Sequence, residues 1–225
     1  MTNFHPSEDI LVEFSSGNLD WAVSIAVSAH LQLCPTCKQK VTQLNALGSA
    51  MLSRSESVAV EENSFEKLMT RIKSTETDQE TPTITPKEEH TAGERTKHLP
   101  PVVQKLIPKE KPLKWSFISP SLKAAQLDSG QNKYEVSFHK IKRGGKVAEH
   151  DHKGLEVTLI LEGSFSDSQG NYVVGDFLVK KPGDVHRPIA AQDQDCLCLS
   201  VVEAPVKVTG LMGKLINPFL SVSPR

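Results

Sequence analysis

The first seventy residues carry apolar side chains at the three- and four-residue spacing of amphipathic helices. Ser7 is a suitable N-cap for a first helix that ends near Gly17. Further stripes predict a second helix over about 19–30 and a third from Cys34 to about Leu52. A fourth amphipathic segment covers 65–72, and its apolar stripe consists of Phe65, Leu68, Met69 and Ile72.

From Trp115 onward the apolar period changes from helical spacing to two, as in 134–141. Turn signals recur at Gly144-Gly145, 168–171 and 182–184. Short strands separated by such turns predict a β-sandwich or barrel. The pattern therefore indicates a helical first half and an all-β second half.

A polar stretch separates these two halves. Residues 74–89 contain a single aliphatic side chain, Ile84, so this segment is too polar to form a core and is predicted to be a linker that continues to about His98. The apolar run 99–108 that follows predicts a short helix or an arm docked on the β half. The predicted domains are 1–75 (helical), 76–110 (linker and docking arm) and 111–225 (β).

Composition narrows the classes of function. The 225 residues carry 26 Lys and Arg against 27 Asp and Glu, a net charge of −1, without the basic excess of a nucleic-acid or anionic-membrane surface. The chain lacks an apolar run of about 18–20 residues and the basic, apolar start of a signal peptide, so we expect a cytoplasmic protein. In that reducing compartment its four cysteines are not expected to form structural disulfides.

The first group of candidate ligands is His30-x-x-x-Cys34-x-x-Cys37, at the junction of the second and third helices. Two thiolates at this spacing chelate one tetrahedral Zn²⁺, and His30 lies one turn earlier. His5, just before the first helix, is the remaining His or Cys of this half that is placed to complete the set. The alternative for a cytosolic CxxC pair is redox chemistry, which is typical of a βαβ context that this half does not show.

This helical half resembles the zinc anti-sigma domain over residues 1 to about 75. The resemblance rests on the His-x-x-x-Cys-x-x-Cys motif, the upstream His5 and the number and length of the helices. In that family the helices wrap an extracytoplasmic-function sigma factor and block its access to RNA polymerase. The resemblance therefore implies Zn²⁺ as cofactor and a sigma factor as protein partner.

The second group lies in the β half and consists of His150, His152, Glu156 and His186. His150 and His152 are two apart and so point to the same face of a strand, and the turn at Lys153-Gly154 allows Glu156 to face the same interior. Three imidazoles and a carboxylate bind a divalent first-row metal ion, with Zn, Fe, Mn and Ni all permissible and zinc favoured here. The run from Gly144 to Gly163 resembles the first cupin motif, although Pro182 and Ala190 depart from the second motif.

A third feature is the pair Cys196 and Cys198 on a late apolar strand, where both face one side. Two interpretations stay open: a pair of small buried residues, or an oxidisable pair near the metal. At roughly 6.6–7 Å between Cα atoms, the pair is at the edge of disulfide reach.

A zinc-binding helical domain followed by a cupin β-barrel, or jelly roll, resembles the ChrR family of anti-sigma factors. That resemblance implies a non-enzymatic regulator that releases its sigma factor on an oxidative signal, singlet oxygen or peroxide. The near-neutral charge and the lack of a membrane-spanning run predict no direct binding to nucleic acid or to a membrane. The first alternative is a metal-dependent cupin enzyme of dioxygenase or isomerase type. The second, direct DNA binding by the zinc domain, is disfavoured because Lys38 and Lys40 are its nearest cations.

Overall fold

The computed structural model describes residues 2–74, 98–108 and 112–209, with positions 213, 217, 221, 222 and 224 beyond them. The predicted linker therefore lies almost wholly outside the described residues. The helices are α1 (Glu8–Ser15), α2 (Trp21–Leu33), α3 (Pro35–Ser53), α4 (Ser64–Ser74) and α5 (Pro101–Gln104). The strands are β1 (Trp115–Ser119), β2 (Leu122–Leu127), β3 (Glu135–Ile141), β4 (His150–Asp151), β5 (Glu156–Glu162), β6 (Ser164–Asp167), β7 (Gly170–Val173), β8 (Phe177–Lys180), β9 (Ile189–Ala190), β10 (Cys196–Val202) and β11 (Lys207–Val208).

Local capping chemistry sets the helix boundaries in the first half. The Ser7 hydroxyl accepts a hydrogen bond from the N–H of Ile10 at 3.4 Å and begins α1. Cys34 is both the C-cap of α2 and the N-cap of α3, and Pro35 occupies the first turn, where its missing N–H costs nothing. The cysteine motif thus lies at a sharp helix junction, as the sequence predicts.

The β half is a sandwich of antiparallel strands. A six-stranded sheet has the order β1-β2-β3-β10-β5-β8, a three-stranded sheet has the order β7-β6-β9, and β11 pairs with β4. In the large sheet, Cys198 lies opposite His139 on one side and Ile160 on the other. This register places the three residues on one face, because directly opposed residues of neighbouring strands share a face.

The two faces of the large sheet bury different cores. One face, with Phe138, Leu159 and Leu199, packs with α2 residues such as Val27 in a single apolar cluster. The opposite face, with Ile160, Cys196 and Cys198, closes the interior of the sandwich with Phe165 and Tyr172. The helical half is therefore docked on the β half through a shared core.

Polar contacts reinforce this docking at the start of α2. The carboxylate of Asp20 accepts hydrogen bonds from Lys133 Nζ at 2.8 Å and Tyr134 Oη at 3.0 Å. The indole N–H of Trp21 donates to the carbonyl of Ser129 at 3.1 Å. Val103 of α5 is completely buried and belongs to the same core as α2, on which α5 packs.

The fourth helix is the exception to this burial. It is present as predicted, yet none of its residues is buried, and Phe65, Leu68 and Ile72 are 69 %, 54 % and 56 % exposed. The apolar stripe of α4 thus faces solvent.

Among the described helices, none combines the length and the hydrophobicity that a membrane span requires.

Candidate metal sites

The structure brings together all four residues of the first predicted group. One ligand atom from each of His5, His30, Cys34 and Cys37 lies within 4.8 Å of the others. The Nδ1 atom of His5 is 3.4 Å from the sulfur of Cys34 and 3.4 Å from that of Cys37. Bonds of about 2.0–2.1 Å to nitrogen and 2.3 Å to sulfur in a tetrahedron give donor separations of this size. We refer to these four residues as the His/Cys cluster.

The imidazole of His30 is oriented by a residue of the β half. Its Nδ1 lies 2.7 Å from the carbonyl oxygen of Gly175, so Nδ1 carries the proton and donates. This tautomer leaves Nε2 as a free acceptor inside the protein, and Nε2 has no hydrogen-bond partner within the part of the chain that the structure describes. A buried acceptor aimed at two thiols and a second imidazole fits a metal ligand.

The two cysteine thiols differ in their surroundings. Burial opposes ionisation of Cys34, but hydrogen bonds from Thr2 and from the backbone N–H groups of Cys37 and Thr36 outweigh it and lower the pKa of this thiol. Burial and the neighbouring Cys34 raise the pKa of Cys37 to about 11. Without a cation the pair resists carrying two charges, and a bound dication removes that cost.

The second predicted group converges inside the β-sandwich. His150, His152 and His186 each offer a nitrogen within 4.8 Å of the others, and the Nε2 atoms of His150 and His186 are 3.1 Å apart. Each Nδ1 is held by an oxygen: the carbonyl of Ala148 for His150 and that of Asp184 for His152, both at 2.8 Å. The carboxylate of Asp167 holds His186 Nδ1 at 3.0 Å. All three Nε2 atoms therefore face a common centre, which is how metal-binding imidazoles are arranged.

Glu156 lies beside this group of three histidines rather than within it. Its Oε2 is 2.9 Å from Nε2 of His152, while Oε1 accepts hydrogen bonds from Thr158 at 3.3 Å and Ser200 at 3.4 Å. Burial raises the pKa of this carboxyl, but contact with His152 and the nearby imidazoles outweighs burial and lowers it to about 2. The group is thus an anion at neutral pH, as a metal-binding carboxylate must be.

Electrostatics keep two of the three imidazoles neutral. Burial, followed by the proximity of His150, lowers the pKa of His186 to about 4. Burial also lowers the pKa of His150. For His152, burial is outweighed by the contact with Glu156, and the pKa is raised. Imidazole nitrogens and one carboxylate match the preferences of divalent first-row ions, so the donor set fits such an ion.

The two late cysteines face each other in the interior of the sandwich. Their sulfurs are 3.6 Å apart and both residues are buried. The shared hydrogen bond with Cys196, followed by burial, raises the pKa of Cys198 well above its ordinary value. Both features favour the interpretation as two small buried residues, because an unreactive thiol is the expected result of burial.

Sequence reasoning missed the residues that orient the ligands. Asp167 holds His186, while Gly175 and Asp176 contact the helical half. These contacts join segments that lie far apart in the chain. Gly and Asp are both common in turns, but the Gly175-Asp176 pair does not indicate which distant segment it contacts. Asp176 is completely buried, which in the structure identifies it as a residue with a specific role.

The chain is similar to known proteins in both its helical half and its β half. Residues 104–206 match the family described as the ChrR cupin-like domain. The chain is 27 % identical to the anti-sigma-E factor ChrR of Cereibacter sphaeroides over 219 residues, which cover 97 % of this chain and 98 % of that protein. It also resembles the crystal structure of Rhodobacter sphaeroides SigE in complex with the anti-sigma ChrR, with a TM-score of 0.71, 25 % identity, and coverage of 90 % of this chain and 99 % of that one. The predicted combination of N-terminal helices with a C-terminal cupin-like domain is confirmed.

Proposed function

We propose that this chain, a ChrR-like protein with a cupin-like C-terminal half, is an anti-sigma factor that binds and inhibits an extracytoplasmic-function sigma factor. The observation that carries the proposal is similarity to ChrR along nearly the whole of both chains, through the helical half as well as the cupin-like half. A cupin enzyme has no need of a helical half with a His/Cys cluster, so the chain is interpreted as a regulator rather than an enzyme.

The surface proposed to bind the sigma factor is the apolar stripe of α4, whose most exposed members are Phe65, Leu68 and Ile72. These side chains are more than half exposed and are aligned at helical spacing. An amphipathic helix buries such a face in a groove of its partner. Leu47 and Met51 of α3, at 58 % and 67 % exposed, add apolar surface in the same half.

The His/Cys cluster is proposed to hold one structural Zn²⁺ in the helical half. Its four residues come from the segment before α1, from α2 and from the start of α3, so one ion ties three parts of the chain together. A bound ion would stabilise the folded state of this small helical unit, which carries the proposed binding surface.

The three histidines and Glu156 are proposed to hold a divalent metal ion, with zinc favoured, in the cupin-like half. The ion supplies a Lewis-acidic centre with positions left for exogenous ligands. We propose that an oxidative signal, singlet oxygen or peroxide, acts on this half and leads to release of the sigma factor. In this proposal residues 1–75 bind the partner, 76–110 link and dock, 111–225 sense, and the protein works in the cytoplasm.

The test is a binding and transcription assay with defined partners. The full chain is co-expressed with each extracytoplasmic-function sigma factor of its host, one at a time, and purified through a tag on the sigma factor. We expect a one-to-one complex with one of them, and repression of transcription from that factor's promoter in a purified system. If none of them forms a complex or is repressed, the proposed function is refuted.

A further inference from the structure

The turn between β7 and β8 contacts the His/Cys cluster directly. The carbonyl of Gly175 accepts the hydrogen bond from His30 Nδ1 at 2.7 Å. The Oδ1 atom of Asp176 accepts hydrogen bonds from the N–H of Asn3 at 2.6 Å and the N–H of Phe4 at 3.1 Å. Phe4 immediately precedes His5, so the turn fixes two of the four members of the cluster.

Asp176 is bound on both sides of its carboxylate. While Oδ1 receives the two N–H groups from the N-terminal segment, Oδ2 accepts the N–H of Val173 at 2.8 Å within its own turn. The residue is fully buried. A carboxylate is suited to this position because it accepts several hydrogen bonds at once and donates none.

The junction is also closely packed. Gly175 has a φ of +93°, and a Cβ atom at this position would lie 2.4 Å from Cγ2 of Thr2. The N–H of Phe177 donates to the carbonyl of Phe4 at 3.0 Å, and the Phe4 ring meets the Tyr172 ring edge-on at 4.8 Å. Both the backbone and the side chain of the N-terminal segment are therefore held by the β half.

We propose that Asp176 is a positioning residue for the metal of the His/Cys cluster, so that the cupin-like half controls how tightly the helical half retains its ion. This inference rests on the proposed metal site. Residues that orient metal ligands typically change metal affinity by about 10–100-fold when removed. Asp176 acts on His5 by holding the two residues before it, and without this restraint the N-terminal segment is held less firmly at the cluster.

The same junction is continuous with the second metal site. Tyr172, whose ring packs on Phe4, donates its hydroxyl to Oδ1 of Asp167 at 2.9 Å. The other carboxylate oxygen of Asp167 holds Nδ1 of His186 at 3.0 Å. Two side chains, Asp167 and Tyr172, therefore connect His186 to the segment that carries His5.

The test measures how fast the full chain loses Co²⁺ from the His/Cys cluster. A thiolate-to-cobalt charge-transfer band reports this site alone, because the ligand set of the second site contains no sulfur. After addition of a chelator, we expect Asp176→Ala to speed decay of the band by about tenfold or more. If Asp176→Ala does not fold, Phe4→Ala is the second variant, because Phe4 is 37 % exposed and its removal disturbs the core little. We expect it to speed decay of the band as well. Asp195→Ala is the matched control, since Asp195 accepts the N–H of Arg143 at 2.9 Å away from the cluster.

A double-mutant cycle separates positioning from general destabilisation. If Asp176 acts through His5, Asp176→Ala speeds decay much less in a His5→Ala background than in the wild type. An equal effect in both backgrounds, or unchanged decay in both Asp176→Ala and Phe4→Ala, overturns the inference. A wild-type chain that develops no charge-transfer band refutes the proposed metal site itself.

Discussion

Removing the three most exposed side chains of the apolar stripe of α4 is expected to weaken sigma-factor binding strongly without unfolding the protein. The variant is the triple substitution Phe65→Ala, Leu68→Ala and Ile72→Ala. Because none of the three side chains is buried in the free chain, the folded state loses little. Alanine also has the highest helix propensity, so α4 itself is retained.

The size of the effect follows from the exposed fractions. Full burial of a large apolar side chain is worth about 1.5–3 kcal/mol. The three residues are 69 %, 54 % and 56 % exposed, so a little over half of that value remains for each to gain when a partner covers the stripe. Together this amounts to about 4 kcal/mol, which weakens Kd by roughly several hundred-fold.

Isothermal titration calorimetry with the purified sigma factor measures this change, and a promoter reporter measures the loss of repression. The matched control replaces three side chains of the same helix outside the apolar stripe: Glu66→Ala, Thr70→Ala and Lys73→Ala. We expect the control to bind as the wild type does. Unchanged affinity of the stripe variant, with thermal unfolding also unchanged, would show that α4 is not the binding surface.

Three further outcomes are expected, each with its own measurement. Cys34→Ser leaves the sigma factor constitutively active in a promoter assay, because one ligand of the His/Cys cluster is lost, and normal repression would contradict the zinc proposal. Asp167→Ala weakens metal affinity of the three-histidine site by about 10–100-fold in a competitive chelator titration, since His186 loses its partner, whereas the exposed Asp193→Ala has no effect. Asp20→Asn lowers the free energy of unfolding at pH 7 by less than about 1 kcal/mol, because the hydrogen bond from Lys133 lowers the pKa of this half-exposed carboxyl. This contribution is present above the ordinary Asp pKa and disappears as pH falls through the lowered value, so denaturant curves of variant and wild type should converge in acid.

The sequence predicted most of the residues that the structure brings together in the two clusters, because short-range geometry is enough for most of them. In α2 and α3, His30, Cys34 and Cys37 are brought together by one helix junction, which the cap residue and Pro35 mark in the sequence. His150 and His152 are two apart in the chain. His5 and His186 lie farther away in the sequence from the other members, and the structure places both with their groups.

The exposure of α4 was not deducible from its pattern. A stripe of apolar residues at helical spacing is equally typical of a helix packed on its own core and of one that awaits a partner. Only the packing of α2 on the β-sheet, with α1 and α5 beside α2, shows that the core of the described residues forms without α4. The two late cysteines are a similar case, because alternation places them on one face and only the packed sheet shows that this face is closed.

Fold class, the helical and β halves and most members of the two residue clusters were thus predicted by sequence alone, since each depends on periodicity, caps and spacing within a few residues. The tertiary structure decided which groups orient the ligands: Asp167 for His186, and Gly175 and Asp176 for the His/Cys cluster. The contacts to the cluster join residues more than 140 positions apart. Local pattern carries no information about such pairings, because they arise only when two separately specified surfaces pack into one core.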